Sequence, residues 1–363
     1  MEIILAIYSK FPSLKRVLFE FALLKESRLL TKPKSLWHYL HSGRIGDRIR
    51  LEASSVCQLK CPACPTGLGK NKEGVVSSGF LKLSRFKEFV DKHHEHISEI
   101  ELSNWGEILL NPDLGKIVQH AYESKIKVTI SNGVNMNFVR DDILESLVKY
   151  KVEQILVSID GATNETYQKY RIGGSLDNVL KNVEMLNQLK EKYQSSVPRL
   201  TWQFVIFKHN VHEIPQAREM AQKLNMRFQP KPQWGSGTEA LTKEEQQYAK
   251  EETGLDIQKN QRPWCFQLWT QPQINWDGKL LGCCVNHWSD FGNVFESGLE
   301  KTTTSEKYEY MKDMLLGLKP PRDDISCLKC PIYKNRIFQD YVEKMLTGEE
   351  KSALANYGKF GGK

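Results

Sequence analysis

The 363-residue sequence predicts an α/β protein. Three observations carry the prediction. From about residue 48 onward, short runs rich in Ile, Val, Leu, Thr and aromatics alternate with runs of helical periodicity; such alternation implies a parallel sheet covered by helices. A chain of this length buries roughly three quarters of its unfolded surface, enough for one large domain with a smaller appendage and no disulfide staples. Hydrophobic residues at 40% and charged residues at 26% are ordinary globular values, so neither a disordered nor a membrane-embedded chain is indicated.

The elements follow in order. Residues 1–45 form an N-terminal segment in which 11–30 can make an amphipathic helix, expected to pack on the domain. Strands are expected at 50–54, 99–103, 127–131, 154–159, 200–207 and 226–229, and helices at 84–94, 114–124, 139–149, 176–192 and 213–224. In the fourth helix Leu176, Val179, Leu180, Val183, Leu186 and Leu189 recur at helical spacing. Six strand–helix units fit an incomplete barrel or a doubly wound sheet, and periodicity alone does not separate them. Past residue 229 the rhythm breaks: 233–237 reads as a loop and 241–252 as a charged helix or linker. The expected organisation is therefore 1–45, a core at 46–240, a second module at 241–350 and a flexible tail at 351–363.

The formal net charge of +7 comes from scattered Lys and Arg, so a basic surface is implied but no nucleic-acid partner. No stretch reaches the ~18 apolar residues of a transmembrane helix. The apolar opening, Met1 to Ile7, is short and does not read as a signal peptide. A cytoplasmic protein is expected.

Eight cysteines fall in two groups, which in such a setting points to metal or catalysis rather than disulfides. The first group is Cys57-Gln-Leu-Lys-Cys61-Pro-Ala-Cys64-Pro, directly after the first strand. Three soft thiolates this close suit an iron–sulfur cluster or zinc. Structural zinc takes four ligands, and no His or Cys nearby in sequence supplies the fourth, although a distant one would suffice. Three cysteines on a four-iron cluster leave one iron open to a small ligand.

This C-x3-C-x2-C triple at the end of the first strand resembles the signature of the radical S-adenosylmethionine (radical SAM) superfamily. The resemblance implies a partial (βα)6 TIM-like barrel in which Cys57, Cys61 and Cys64 hold a [4Fe–4S] cluster. It also implies that the open iron takes the amino and carboxylate groups of SAM, and that SAM cleavage starts a radical reaction fed by a flavodoxin- or ferredoxin-type electron donor. Three further stretches match where that family places them, at the C-terminal ends of strands. Gly106-Glu107 resembles the motif that contacts the methionine ammonium, with Trp105 where a second small residue is usual. Ser131 and Asn132 stand where polar groups meet the ribose. Ser158, Asp160 and Arg171 follow the fourth strand, and in relatives the Ser and Arg hold the methionine carboxylate. This resemblance covers roughly residues 48–229.

The second group is Cys265, then Gly278 and Cys283, then Cys327-Leu-Lys-Cys330. Four thiolates can complete one cluster, and the same spacing can hold zinc. The order resembles the auxiliary-cluster modules called SPASM and, in shortened form, twitch, which implies one auxiliary [4Fe–4S] cluster. Cys284 is expected to be a bystander. The aromatics Trp264, Phe266, Trp269, Trp276, Trp288 and Phe291 are expected to pack the module and dry the site. The resemblance implies a radical SAM oxidoreductase acting on a sugar, cyclitol or similar polar metabolite. Two alternatives stay open: a maturase acting on a precursor peptide, and a non-catalytic electron carrier. His93, His94 and His96 read as a basic helix C-terminus, and His209 and His212 follow the fifth strand with no partner evident.

Overall fold

Six strands follow one another across the core sheet in the order of the sequence: β1 (Arg48–Leu51), β2 (Glu99–Glu101), β3 (Lys127–Val134), β4 (Gln154–Ser158), β5 (Arg199–Ile206) and β6 (Arg227–Pro232). The pairs from β2 to β6 are all parallel. A doubly wound sheet reverses its strand order at a switch point. Here the order never reverses, which selects the partial barrel. The computed structural model describes residues 47–233, 238–256, 265, 267–316, 318–330 and 333. The expected N-terminal segment with its helix at 11–30, most of the loop at 233–237, Trp264, Phe266 and the tail lie outside the described residues.

Helices α1 (Leu83–His93), α2 (Leu114–Glu123), α3 (Asp141–Lys149), α4 (Asn164–Tyr170), α5 (Leu176–Lys192) and α6 (Ile214–Lys223) fill the crossovers, and α7 (Lys243–Thr253) follows β6. Several begin at side-chain caps: Thr163 accepts from Thr166 N–H, Ser175 from Asn178 N–H, and Thr242 forms a capping box with Glu245. Each cap contributes about 1 kcal/mol.

Alternation along the strands sorts polar from apolar side chains. On β5, Leu200, Trp202, Phe204 and Ile206 form one buried apolar row while Thr201 and Gln203 form the other. The register carries this across the sheet, since Gln203 faces Ser158 on β4 and Gln229 on β6. On β2 and β3, Glu101 faces Thr129 in the same way. Parallel strands buried on both faces usually read as continuous apolar runs. These instead carry an apolar row against the helices, where Ile117, Val118, Leu144, Val183 and Ala217 are fully buried, and a polar row on the other face. Burying one such aliphatic side chain is worth about 2 kcal/mol, so the helix-facing rows hold the barrel together.

The contacts divide the described residues into two compact units, one built on Arg50–Gln261 with Asn275–Asp277, the other on Arg262–Ile274 with the residues from Gly278 on. Helix α7 thus belongs to the core unit rather than to the second module. The second unit contains α8 (Gln267–Thr270), an antiparallel pair β7 (Gln273–Ile274) and β8 (Leu280–Gly282), and α9 (Val294–Ser297), α10 (Leu299–Thr303) and α11 (Glu306–Leu315). Its core gathers Leu268, Trp269, Phe291, Tyr308, Met311 and Met314. The Tyr308 hydroxyl donates to Leu268 O at 2.9 Å, and the Phe291 and Tyr308 rings meet edge to face.

Candidate active site

The loop leaving β1 carries the first cysteine group. Cys64 N–H donates to Cys61 O, and Leu68 N–H to Cys64 O, so the backbone curls tightly from Cys61 to Leu68. Gly67 lies flush on this curl: a Cβ there would stand 2.7 Å from Cys61 O. Cys61 is buried; Cys57 and Cys64 are half-buried. Burial pushes the Cys57 thiol up to about 12, and the Glu107 carboxylate and the other two thiols push the same way. Cys61 is also raised, by burial first, while Arg171 opposes. The Arg171 guanidinium reaches Cys61 Sγ at 3.9 Å, and Asn135 Nδ2 reaches Cys57 Sγ at 3.7 Å.

Arg171 follows α4 and is held by Asp160, which follows β4. The Asp160 carboxylate is wholly buried and accepts from both Nε and Nη2 of Arg171 at 2.6 Å. Its other oxygen accepts from Val205 N–H at 2.8 Å. Burial opposes the charge on Arg171, and Asp160 overrides it, keeping the guanidinium protonated. Asp160, expected at the cofactor, is thus buried as the partner of Arg171.

Gly106 and Glu107 follow β2. A Cβ on Gly106 would meet Ser54 O at 2.4 Å, so only glycine lets this loop seat on the β1 exit, and Glu107 N–H donates to Val56 O at 2.8 Å. The Glu107 carboxylate is buried and accepts from the N–H groups of Leu109 and Asn135. Burial pushes it up to about 7 against the pull of backbone donors that also include Met136. A carboxylate offers about four acceptor sites, so one stays open to an ammonium. Trp105, in place of the usual small residue, is half-buried, and its carbonyl accepts from Thr66 Oγ1 at 2.6 Å.

The remaining predicted residues stand on the polar face. Ser131 donates from backbone and hydroxyl to Glu101, and Asn132 spans to Ser103 and Asn104. Ser158 is buried and its hydroxyl accepts from Gln203 Nε2 at 3.2 Å. Gly133, at φ +102°, passes so close that a Cβ would strike Ser158 Oγ. Sequence reasoning missed four groups here. Glu52, directly after β1, accepts from Trp105 N–H at 2.8 Å and Asn104 N–H at 3.3 Å, fastening the loop that carries Gly106. Burial pushes Glu52 up to about 8, with the backbone donors of Trp105, Gly106 and Asn104 pulling the other way. Glu101 holds β3 at Ser131. Gln203, which also accepts from Lys231 Nζ, backs Ser158. Asn135 touches Cys57. For Glu101 and Gln203 the available signal was a carboxylate or amide within a strand.

His93 is buried against the Phe89 ring. His209 stacks on Phe207, which stacks on Tyr170, and the Tyr170 ring lies 5.3 Å from the Arg171 guanidinium.

In the second unit Cys265 and Cys283 are hydrogen-bonded thiols, a contact that together with burial holds Cys283 well above the ordinary thiol range. Cys327 is raised chiefly by burial, with Cys283 and Cys330 adding to it. Cys284, beside Cys283 in sequence, is tied through its backbone N–H to Gln267 Oε1 at 3.1 Å.

The family model described as the radical SAM superfamily matches residues 51–203, and the model described as an iron–sulfur cluster-binding domain, SPASM, matches residues 265–331. Residues 51–203 thus carry a radical SAM domain and residues 265–331 a SPASM domain. A radical SAM domain implies a [4Fe–4S] cluster and SAM, and a SPASM domain an auxiliary iron–sulfur cluster. Among curated proteins it is 27% identical over 177 residues to an AdoMet-dependent heme synthase of Methanosarcina barkeri, covering 48% of this chain and 47% of that protein. It is likewise 27% identical over 145 residues to a probable GTP 3′,8-cyclase of Methanococcus maripaludis, covering 39% and 46%. The chain thus spans about half the length of the curated relatives it matches. Among solved structures, Streptococcus suis SuiB bound to precursor peptide SuiA has a TM-score of 0.59 at 15% identity, over 90% of this chain and 78% of that one. Among the described residues no helix is long and apolar enough to cross a membrane.

The residues fit the implied groups. Three thiols on one curled loop, with a cation against one of them, suit a cluster whose thiolate ligands carry net negative charge. Three protein ligands also leave a position for a small molecule. Cys265, Cys283, Cys327 and Cys330 of the SPASM unit are four thiols, the donor type and number that such a cluster takes.

Proposed function

We propose that this enzyme abstracts a hydrogen atom from a sugar, cyclitol or similar polar metabolite and completes a net oxidation. Cys57, Cys61 and Cys64 would hold the SAM-binding cluster, and Cys265, Cys283, Cys327 and Cys330 one auxiliary [4Fe–4S] cluster. Bound together, cluster and SAM supply a 5′-deoxyadenosyl radical once one electron is delivered, and the auxiliary cluster supplies an acceptor for the electron that substrate oxidation releases.

The protein's own residues do the binding and orienting. Glu107 keeps one acceptor site for the methionine ammonium. Arg171, fixed by Asp160, and Ser158 would meet the methionine carboxylate, since a guanidinium matches that group's geometry. Ser131 and Asn132 would border the ribose, near the end of β3, where Glu101 holds Ser131. Gly106 and Gly133 let backbone approach where a side chain could not.

The polar face of the barrel carries the choice of substrate. Glu52, Glu101, Thr129, Ser158, Gln203 and Lys231 line it with hydrogen-bonding groups, which favours a hydroxyl-rich molecule over an apolar one. A precursor peptide is the second reading, favoured by the likeness to SuiB, which was solved with such a peptide. That likeness, at 15% identity, carries the fold alone, so the polar metabolite stands first. A cytoplasmic setting forms part of the proposal.

The test is anaerobic reconstitution followed by reduction with SAM present. Wild type is expected to form 5′-deoxyadenosine, with deuterium transferred from a labelled cyclitol or amino sugar. Cys57→Ser, Cys61→Ser and Cys64→Ser are each expected to lose it. Wild type forming no 5′-deoxyadenosine sinks the radical reading; deuterium transfer only from peptides moves the substrate to the second.

A further inference from the structure

The side-chain amide of Asn135 stands at the first cysteine group with its direction fixed. Asn135 directly follows β3 and is buried. Its Oδ1 accepts from Gln58 Nε2 at 2.8 Å, from Asn137 N–H at 3.0 Å and from Asn137 Nδ2 at 3.2 Å. A backbone N–H only donates, so the amide atom that meets Asn137 N–H is the oxygen and the opposite one is the NH2 group. That NH2 group reaches Cys57 Sγ at 3.7 Å and Gln58 Oε1 at 3.5 Å. Asn137 is pinned in turn: its Oδ1 accepts from the N–H of Ser175, the cap of α5, and its Nδ2 donates to the Tyr167 hydroxyl at 2.8 Å.

Hydrogen bonds to the sulfurs are one of the settings of an iron–sulfur potential, because reduction adds negative charge that a donor stabilises. A buried donor acts more strongly than one in water, since the local dielectric is low. The backbone of the same residue serves the neighbouring group: Asn135 N–H donates to the buried Glu107 carboxylate. One residue therefore touches both a proposed cluster ligand and the proposed acceptor of the methionine ammonium.

We infer that Asn135, acting through Cys57, sets the reduction potential of the SAM-binding cluster: its amide donates to the Cys57 thiolate and makes that cluster easier to reduce. The inference rests on the reading of Cys57 as a cluster ligand. A low-potential one-electron reductant loses the electron that the cluster gains; no bond breaks and no proton moves. Gln58 and Asn137 keep the amide from turning its oxygen toward the sulfur, where it would oppose the added charge.

The experiment is a redox titration of the reconstituted enzyme, poised with titanium(III) citrate and read by electron paramagnetic resonance. The signal that changes when SAM is added identifies the cluster with an open iron, and its midpoint is then compared without SAM. The variants are Asn135→Asp, which keeps an oxygen for Gln58 and Asn137 and puts an acceptor where the donor was, and Asn135→Leu, which removes both. At one fixed poise the ratio of reduced to oxidised SAM-responsive cluster is expected to fall about tenfold in Asn135→Asp, a move of about 59 mV to more negative potential. Asn135→Leu is expected to move it the same way by about threefold. The signal that ignores SAM is expected to keep its wild-type midpoint. An unchanged midpoint in both variants, a move to more positive potential, or equal moves of both signals overturns the inference. Loss of bound iron from Asn135→Asp also overturns it, since the amide would then serve assembly rather than potential. A wild type with no SAM-responsive signal instead overturns the reading of Cys57, Cys61 and Cys64 as a cluster site, so the two failures are told apart.

Discussion

Replacing Asp160 by asparagine keeps the shape of the side chain and removes its charge. The carboxylate takes two donors from Arg171 on one oxygen and the Val205 N–H on the other. An amide has a single acceptor oxygen, so one of these two sets of donors loses its acceptor and faces an NH2 group. The Asp160 side chain is wholly buried and that of Arg171 is 15% exposed, so water does little to replace the lost charge. Leaving one member of a buried pair uncompensated costs about 3–5 kcal/mol. For a unit of roughly two hundred residues that corresponds to a fall in Tm of roughly 10 °C. The assay is thermal unfolding of the cluster-free chain at pH 7.5, followed by circular dichroism. A double variant, Asp160→Leu with Arg171→Met, removes both charges and is expected to recover at least half of the loss. Iron bound after reconstitution is expected to fall in Asp160→Asn, because the guanidinium is then free to leave Cys61. A Tm within about 2 °C of wild type, or a double variant no better than the sum of its parts, would refute the claim that Asp160 exists to hold Arg171.

Two further outcomes follow from buried carboxylates. Burial raises Glu107 to about 7, so it is largely protonated at pH 6 and ionised at pH 8, and only the ionised form pairs with an ammonium. SAM is therefore expected to bind about tenfold more weakly at pH 6 than at pH 8, and Glu107→Gln is expected to flatten that dependence; an unchanged slope in the variant would remove Glu107 from the ammonium site. Glu52, raised to about 8 by burial, favours its protonated form in the folded state, so folding loses stability as pH rises from about 4.5 through 8. Glu52→Gln is expected to give a smaller drop in denaturation midpoint between pH 5.5 and 8, and an equal drop would show that another group sets the trend.

Much of the barrel was legible because its strands are short β-rich runs spaced by amphipathic helices. Helix α4 was not, since Asn-Glu-Thr-Tyr-Gln-Lys-Tyr has no apolar stripe and depends on the Thr163 cap to start. The cysteine positions stood out by spacing alone. Glu101 and Gln203 stayed hidden for a geometric reason: a polar residue at alternate strand positions reads as solvent-facing, and only the curvature of the sheet turns that face inward. Asp160 was legible as part of a strand-end motif, but its role depends on Arg171, eleven residues on, being brought back against it by α4.

The division of labour between the two sides of each strand has an evolutionary consequence. Cohesion resides in the aliphatic rows pressed against the helices, and chemistry in the hydrophilic rows opposite. Exchanging Gln203, Thr201 or Gln229 for another inward-facing group leaves those aliphatic contacts intact. A lineage of such barrels is therefore able to drift from one reactant to another through a handful of inward changes while its scaffold stays fixed.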